Sequence, residues 1–338
     1  MRAIRFILWA LVWLVLFVCV LWAFGALYYD FPIRSLHKFA AIGFIVLVFL
    51  AVLLVRGKSR KLFAVIICFL IVLAWWRLSL KPSNDRPWQP DVAETGWAEI
   101  NGDDVTIHNV RNCDYRTETD YTPRWEPRTV NLSQITGVDL AITYWGSPYI
   151  AHPIASFQFA DAVPICFSIE TRKVIGEGYS TIGGLYRQYE LIYICADERD
   201  VIRLRTNFRK DEEVYLYHTT LSREQARGRF LEYLKSLNSL HVRPRWYNVL
   251  TTNCTTAIRQ QHTASNRVPW NWRIILNGKA DELLYQDKRI ATEGLDFAEL
   301  KQRSHINERA HAADQDPDFS KRIREGLPDF PSEQETKE

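Results

Sequence analysis

Three apolar runs open this chain and constrain its architecture more than any other feature. Residues 6–29 carry no charged side chain, and residues 39–55 and 62–76 repeat the pattern. The first run is long enough to cross a hydrocarbon layer roughly 30 Å thick. The other two are shorter, and Lys38, Arg77 and Lys81 stand where long cationic side chains can snorkel to the interface. Trp22, Tyr28, Tyr29, Trp75 and Trp76 fall where interfacial aromatic belts form. We expect three transmembrane helices, inserted in the membrane, within residues 1–81.

Orientation follows from the basic residues. Arg2 and Arg5 precede the first run, and Arg56, Lys58, Arg60 and Lys61 crowd the second loop, whereas the first loop is much less basic. Cytoplasmic loops carry the excess of Lys and Arg. The third helix then exits outward, and everything beyond about residue 82 is extracytoplasmic. The expected location is a bacterial inner membrane, multi-pass, with the C-terminal part in the periplasm. The competing reading, a cleaved signal peptide over residues 1–27, fails on an apolar core that is too long and has no small-x-small site.

The formal charge of +3 hides a division. Beyond residue 81 the chain holds 32 of its 42 Lys+Arg and 38 of its 39 Asp+Glu, a balance of −6. An acidic outer part excludes nucleic acid as a partner. No CxxC, no zinc-type Cys/His spacing and no phosphate-cradling GxGxxG occurs, so the sequence implies neither a metal nor a cofactor. Cys113, Cys166, Cys195 and Cys254 lie where disulfides are permitted, and at most one pair forms if Cys254 stays reduced.

Residues 82–91 have the proline content of a linker, and residues 92–307 read as one α+β domain. Strand-like pieces occur at 104–110, 130–132 and 138–145. Alternation over 149–159 and 164–171 predicts a hairpin, and 189–196, 201–206 and 213–219 read as further strands of a mainly antiparallel sheet. Ser222 and Gln225 form a capping-box pattern ahead of Phe230, Tyr233, Leu234 and Leu237, so a helix is expected there, with another near 279–289. Residues 308–338 are polar and proline-broken and are expected to be a loose tail.

The chemistry concentrates in residues 245–259, a loop running into a helix start at Cys254. Thr252 and Asn253 are both good N-caps. A cysteine at that junction meets the positive end of the helix dipole and unpaired N–H groups, which favours its thiolate. The plain structural alternative is a small core residue. His152, at the head of the 149–159 strand, is the expected base, since a Cys–His pair is the ordinary way to activate a thiol for acyl transfer. Glu170 on the partner strand can orient the imidazole or simply pair with Arg172 or Arg205. Asn253, Tyr247 and Asn248, with the Cys254 N–H, are the expected oxyanion or site-lining groups. Tyr144, Trp145 and Tyr149 read as an apolar wall or as core. His108, His218, His241 and His262 lack a comparable context.

The motifs AHPxxSFxF at 151–159, SIExR at 168–172, YELIY at 189–193, VIRLR at 201–205 and WYN with NCTT at 246–256 together resemble the Lnb N-terminal periplasmic domain family. The resemblance covers roughly residues 90–280. It implies a permuted papain-like α+β fold and lipoprotein N-acylation chemistry, with the family's cysteine and histidine carried onto Cys254 and His152. Membrane phospholipid as acyl donor and a lipoprotein or other amine as acceptor are the implied partners. Several helices ahead of the domain are not the architecture of the family's acyltransferase namesake, so the chemistry transfers better than the substrate. The layout is also similar, over two short segments, to the lecithin:retinol acyltransferase group. A papain-like envelope peptidase or amidase and a non-catalytic binding module use the same residues differently.

Overall fold

The apolar runs fold as α1 (Arg2–Asp30), α2 (His37–Leu54) and α3 (Lys58–Leu78) in a computed structural model that describes residues 2–261, 273, 277–328 and 330. Each helix is long and apolar enough to cross a membrane. At 1.5 Å per residue even the 18-residue α2 spans about 27 Å. Large apolar side chains such as Phe6, Phe39 and Phe63 stay exposed on them, as on helices that face lipid. Between them Ala23, Ala26 and Ala41 are buried with Leu27, Phe44 and Val72. Small residues at the seam let backbones approach closely, which is how helices pack when lipid surrounds them.

The chain divides into two compact units. The first comprises Met1–Ser83 with Gly178–Glu190 and Trp246–Val249, and the second Asn84–Glu177, Leu191–Arg245 and Leu250–Glu338.

The strands are β1 (Trp97–Asn101), β2 (Asp104–Arg111), a small separate pair β3 (Asp114–Tyr115) and β4 (Tyr121–Thr122), then β5 (Trp125–Asn131), β6 (Ile135–Trp145), β7 (Ser147–Phe159), β8 (Ile165–Arg172), β9 (Glu190–Ala196) and β10 (Glu212–His218). The main sheet has eight strands in the order β1-β2-β9-β8-β7-β6-β10, with β5 also on β2. β7 and β8 form the expected antiparallel hairpin, Ile154 opposite Ser168 and Phe157 opposite Ile165. The helices of the second unit are α4 (Glu198–Arg203), α5 (Arg223–Val242), α6 (Cys254–Gln261), α7 (Ala280–Gln286), α8 (Phe297–Arg303), α9 (Asn307–Ala312) and α10 (Phe319–Arg322).

Side chains alternate across a strand, and β7 shows what each face packs against. Phe157 and Phe159 meet Phe230 of α5 at ring distances of 5.0 and 5.5 Å, and Tyr233 meets Phe167 at 5.0 Å. The two edge-to-face pairs with Phe230 add about 0.5–1.5 kcal/mol each beyond their area. The expected capping box starts α5: Ser222 accepts from the Gln225 N–H, and the Gln225 side chain accepts from the Ser222 N–H. On the other face Ile154 joins Cys166, Ile192 and Ile194 in a core closed by Val201 and Ile202, and by Ile306, Phe319 and Ile323.

Three expectations are corrected here. Residues 201–206 are not a strand: they form the end of α4 and a π-turn, Leu204–Phe208. The helical path sends Arg203 to Asp314 and Arg205 to Glu170 and Glu212, while Asp200 holds Arg111 of β2 in a buried bidentate pair. Residues 84–91 are not a free linker, because Trp88 is buried, bridges to Val174 and lies under the Arg172 guanidinium. Nor is the chain loose from residue 308: α9, α10 and Leu327 complete the core, and Arg324 bridges Asp139 and Glu198. Residue 329 and residues 331–338 of the expected tail lie outside the described residues.

Candidate active site

Cys254 is the first residue of α6 and is 7 % exposed. Asn253 caps the helix. Its Oδ1 accepts from the Thr256 N–H at 2.8 Å and from the Thr255 and Thr256 hydroxyls at 3.0 Å, while its own N–H donates to the Thr256 hydroxyl. That fixes the turn on which the sulfur sits and commits the Asn253 side-chain oxygen to the helix. The N–H groups of Cys254 and Thr255 turn toward the sulfur and favour its thiolate, as a helix start should.

Burial nevertheless wins. It pushes the Cys254 thiol up to about 11, and the Glu170 charge adds to the rise. The thiolate expected from the helix start is therefore not the resting form at neutral pH. Desolvation of the charged form outweighs a few partial charges.

The sulfur has a further partner that the sequence did not point to. Asn277 donates from Nδ2 to Cys254 Sγ at 3.4 Å and accepts the Ala151 N–H on Oδ1 at 2.9 Å. Gly278 holds this contact tight, since a Cβ there would lie 2.4–2.6 Å from backbone atoms of residues 148–150. An Asn-Gly pair reads locally as a turn, so nothing short of the fold marks Asn277.

His152 follows Ala151 on β7. It shares a face with Ile154 and Ser156, and is 7 % exposed. Its Nε2 lies 2.7 Å from Ser168 Oγ and 3.3 Å from Glu170 Oε1, and Ser168 donates to Glu170 at 2.6 Å. With the hydroxyl proton given to Glu170, the Ser168 oxygen accepts from Nε2–H, which leaves Nδ1 as the basic nitrogen. Burial lowers the His152 pKa, Glu170 opposes this and Arg205 adds to it, so the imidazole is neutral at pH 7. Glu170 is held well below the usual carboxylate range, because His152 and Arg205 outweigh its own burial. Arg205 donates to Glu170 at 3.0 Å and to Glu212 at 3.1 Å. The Glu170 carboxylate thus lies within reach of both the His152 ring and the Arg205 guanidinium. Arg172 takes no part and serves the Val92 and Ala93 carbonyls and Asn84.

α6 packs on β7 and β8, so Cys254 stands on the strand pair that bears His152 and Glu170. Among the described residues no hydrogen bond joins Cys254 to His152. The link runs through Asn277 and Ala151. Tyr247 and Asn248 belong to the first unit, where the Tyr247 N–H donates to the Tyr189 carbonyl and Asn248 Nδ2 to the Leu185 carbonyl. Tyr144 is buried core beneath the Lys301 ammonium, while Trp145 and Tyr149 are exposed. His108 stacks on Trp97, and His218 pairs with Asp139. Thr95 Oγ1 lies 3.0 Å from His241 Nδ1, and His262 lies outside the described residues. All six cysteines are free.

Three helices long and apolar enough to cross a membrane, followed by an α+β domain with a buried helix-start cysteine, define a membrane protein. Residues 121–278 match the family model of the Lnb N-terminal periplasmic domain. The match contains His152, Glu170, Cys254 and Asn277. No curated protein and no solved structure matches the chain.

Proposed function

We propose that this is an inner-membrane thiol acyltransferase working through an acyl-Cys254 intermediate. The observation that carries the reading is the setting of the sulfur. It sits at a helix start and accepts from the Asn277 amide, on strands that present a neutral His152 backed by Ser168, Glu170 and Arg205.

In the first half-reaction His152 takes the Cys254 proton as sulfur attacks the carbonyl carbon of a phospholipid ester. The S–C bond forms, the ester C–O bond breaks, and the lysolipid alkoxide leaves with the proton held by His152. In the second an amine attacks the thioester. The C–N bond forms, the C–S bond breaks, and the amine proton returns to the sulfur through His152. The Cys254 and Thr255 N–H groups and Asn277 Nδ2 are the donors for the oxyanion. Catalytic hydrogen bonds tighten on substrate binding, and bringing sulfur within reach of His152 Nδ1 is the movement that substrate must induce. A lipoprotein amine is the acceptor that the family match suggests.

The test is an intact-mass measurement on the detergent-purified chain after incubation with phospholipid bearing an isotopically heavy acyl chain. One acyl group added, removed by hydroxylamine and missing in Cys254→Ala, supports the reading. A free, unmodified Cys254 argues against phospholipid as donor and favours an envelope peptidase or amidase.

A further inference from the structure

Gly178–Glu190 lies beyond the third apolar helix in sequence by about a hundred residues, yet it belongs to the first unit. Its contacts explain why. The Tyr186 ring stacks on Tyr29 with centroids 5.4 Å apart and tilts over Trp22 at 6.2 Å. It occupies the space that Gly25 leaves open: a Cβ at Gly25 would lie 2.0 Å from the Tyr186 hydroxyl oxygen. The Arg187 N–H donates to both carboxylate oxygens of the buried Asp30 at 3.0 Å. Its guanidinium donates to the Trp76 and Leu80 carbonyls at 2.5 and 3.0 Å and lies 3.8 Å over the Trp76 ring. Trp76 Nε1 closes the circuit by donating to Asp30 at 2.6 Å.

These contacts set a depth. Trp22 and Gly25 precede the α1 terminus at Asp30 by about 12 and 8 Å of helix rise. Both lie within the uncharged run 6–29. A side chain packed on them lies along the apolar part of α1, ahead of its polar terminus at Asp30. The same loop leaves Tyr179, Ile182 and Leu185 exposed, Ile182 at 58 %. Apolar side chains so placed, beside helices that cross a membrane, lose their contact with water when lipid covers them.

We propose that residues 178–190 form a loop inserted in the outer leaflet, anchored by Tyr186 and Arg187, with Ile182 and Leu185 against phospholipid acyl chains. A second strap is tied to it, since the Val249 N–H donates to the Gly184 carbonyl at 2.9 Å and the Tyr247 N–H to the Tyr189 carbonyl at 3.0 Å. The inserted loop stands whether or not Cys254 forms a thioester.

The test is nitroxide labelling of the full chain in phosphatidylcholine–phosphatidylglycerol vesicles. Labels go at Ile182→Cys and Leu185→Cys, with exposed Glu118→Cys as the aqueous control and the unsubstituted chain as the labelling blank. Relaxation by dissolved oxygen exceeding relaxation by a water-soluble nickel chelate at both loop sites, with the reverse at residue 118, supports the loop in lipid. Gly25→Leu, which takes the Tyr186 seat, is expected to raise nickel accessibility at residue 182 several-fold. Nickel accessibility at both loop sites equal to that at residue 118, in protein that melts like the unsubstituted chain, overturns the proposal.

Discussion

Asn277 joins Cys254 to the strand of His152: Nδ2 donates to the sulfur at 3.4 Å while Oδ1 accepts the Ala151 N–H at 2.9 Å. The two ends of this carboxamide can be separated by mutation. Asn277→Ala removes both and leaves the Ala151 N–H without its partner, at a cost of about 1–3 kcal/mol. Asn277→Asp keeps an acceptor for that N–H but sets a charge beside the sulfur. We expect Asn277→Asp to be the more stable of the two in urea and the slower to alkylate at Cys254. If the donor also holds the oxyanion, turnover falls roughly 10²–10³-fold in either variant. Faster alkylation in Asn277→Ala would remove Asn277 from the thiolate's environment.

The thiol itself has a sharp pH signature. With the Cys254 pKa raised by burial to about 11, the thiolate fraction at pH 7.5 is ~10²–10³ lower than that of a free cysteine titrating near ~8.5. Alkylation of the substrate-free chain by iodoacetamide, followed by mass, is expected to rise tenfold per pH unit up to at least pH 10. A plateau reached by pH 8 would mean that the helix start wins over burial after all.

Acid stability separates His152 from Glu170. The His152 pKa is lowered from 6.5, so the unfolded chain binds that proton first, and stability drops as pH falls below 6.5 toward the folded value. Glu170 is lowered from 4.5, so its contribution is present above 4.5 and is lost as pH falls through its folded pKa. His152→Gln should therefore flatten the melting temperature between pH 6.5 and 5. Arg205→Ala strips a cation from two carboxylates, Glu170 and Glu212, and should cost about 3–5 kcal/mol at pH 7 with a smaller loss at pH 4. Unchanged melting curves for both variants would show that these groups carry no linked protons.

What could be read from the sequence was whatever one element states by itself. The apolar runs, the Ser222 box, the β7–β8 alternation and the Asn253 cap each have a local signature. What could not be read depends on partners far along the chain. The pattern at 201–206 alternates like a strand, but its arginines are claimed by Asp314 and Glu170, which a helical turn can serve together. Asn277 looks like half of a turn until Ala151 and Cys254 close on it. The Cys254 environment escapes the sequence for the same reason, since a helix start is visible in sequence and the depth of its burial is not.

The segment after residue 305 gives the last test, because it looks dispensable and is not. Ile306, Ala310, Phe319, Ile323 and Leu327 cover the sheet face that carries Ile154, Cys166 and Ile192. Arg324 donates to Asp139 from Nε at 2.8 Å and to Glu198 from Nη1 at 2.8 Å. Glu198 in turn accepts from Ser156 of β7, two pleats from His152 on the same face. Removing one partner from a buried charge cluster costs about 3–5 kcal/mol, because the charges left behind are uncompensated. Arg324→Met should lower stability by that amount while leaving Cys254 labelling at pH 10 unchanged. A chain ending before Ile306 should fail to yield folded protein, since the apolar face is then open. If instead the shortened chain melts cooperatively at an unaltered temperature in detergent, these helices are an ornament and the core closes without them.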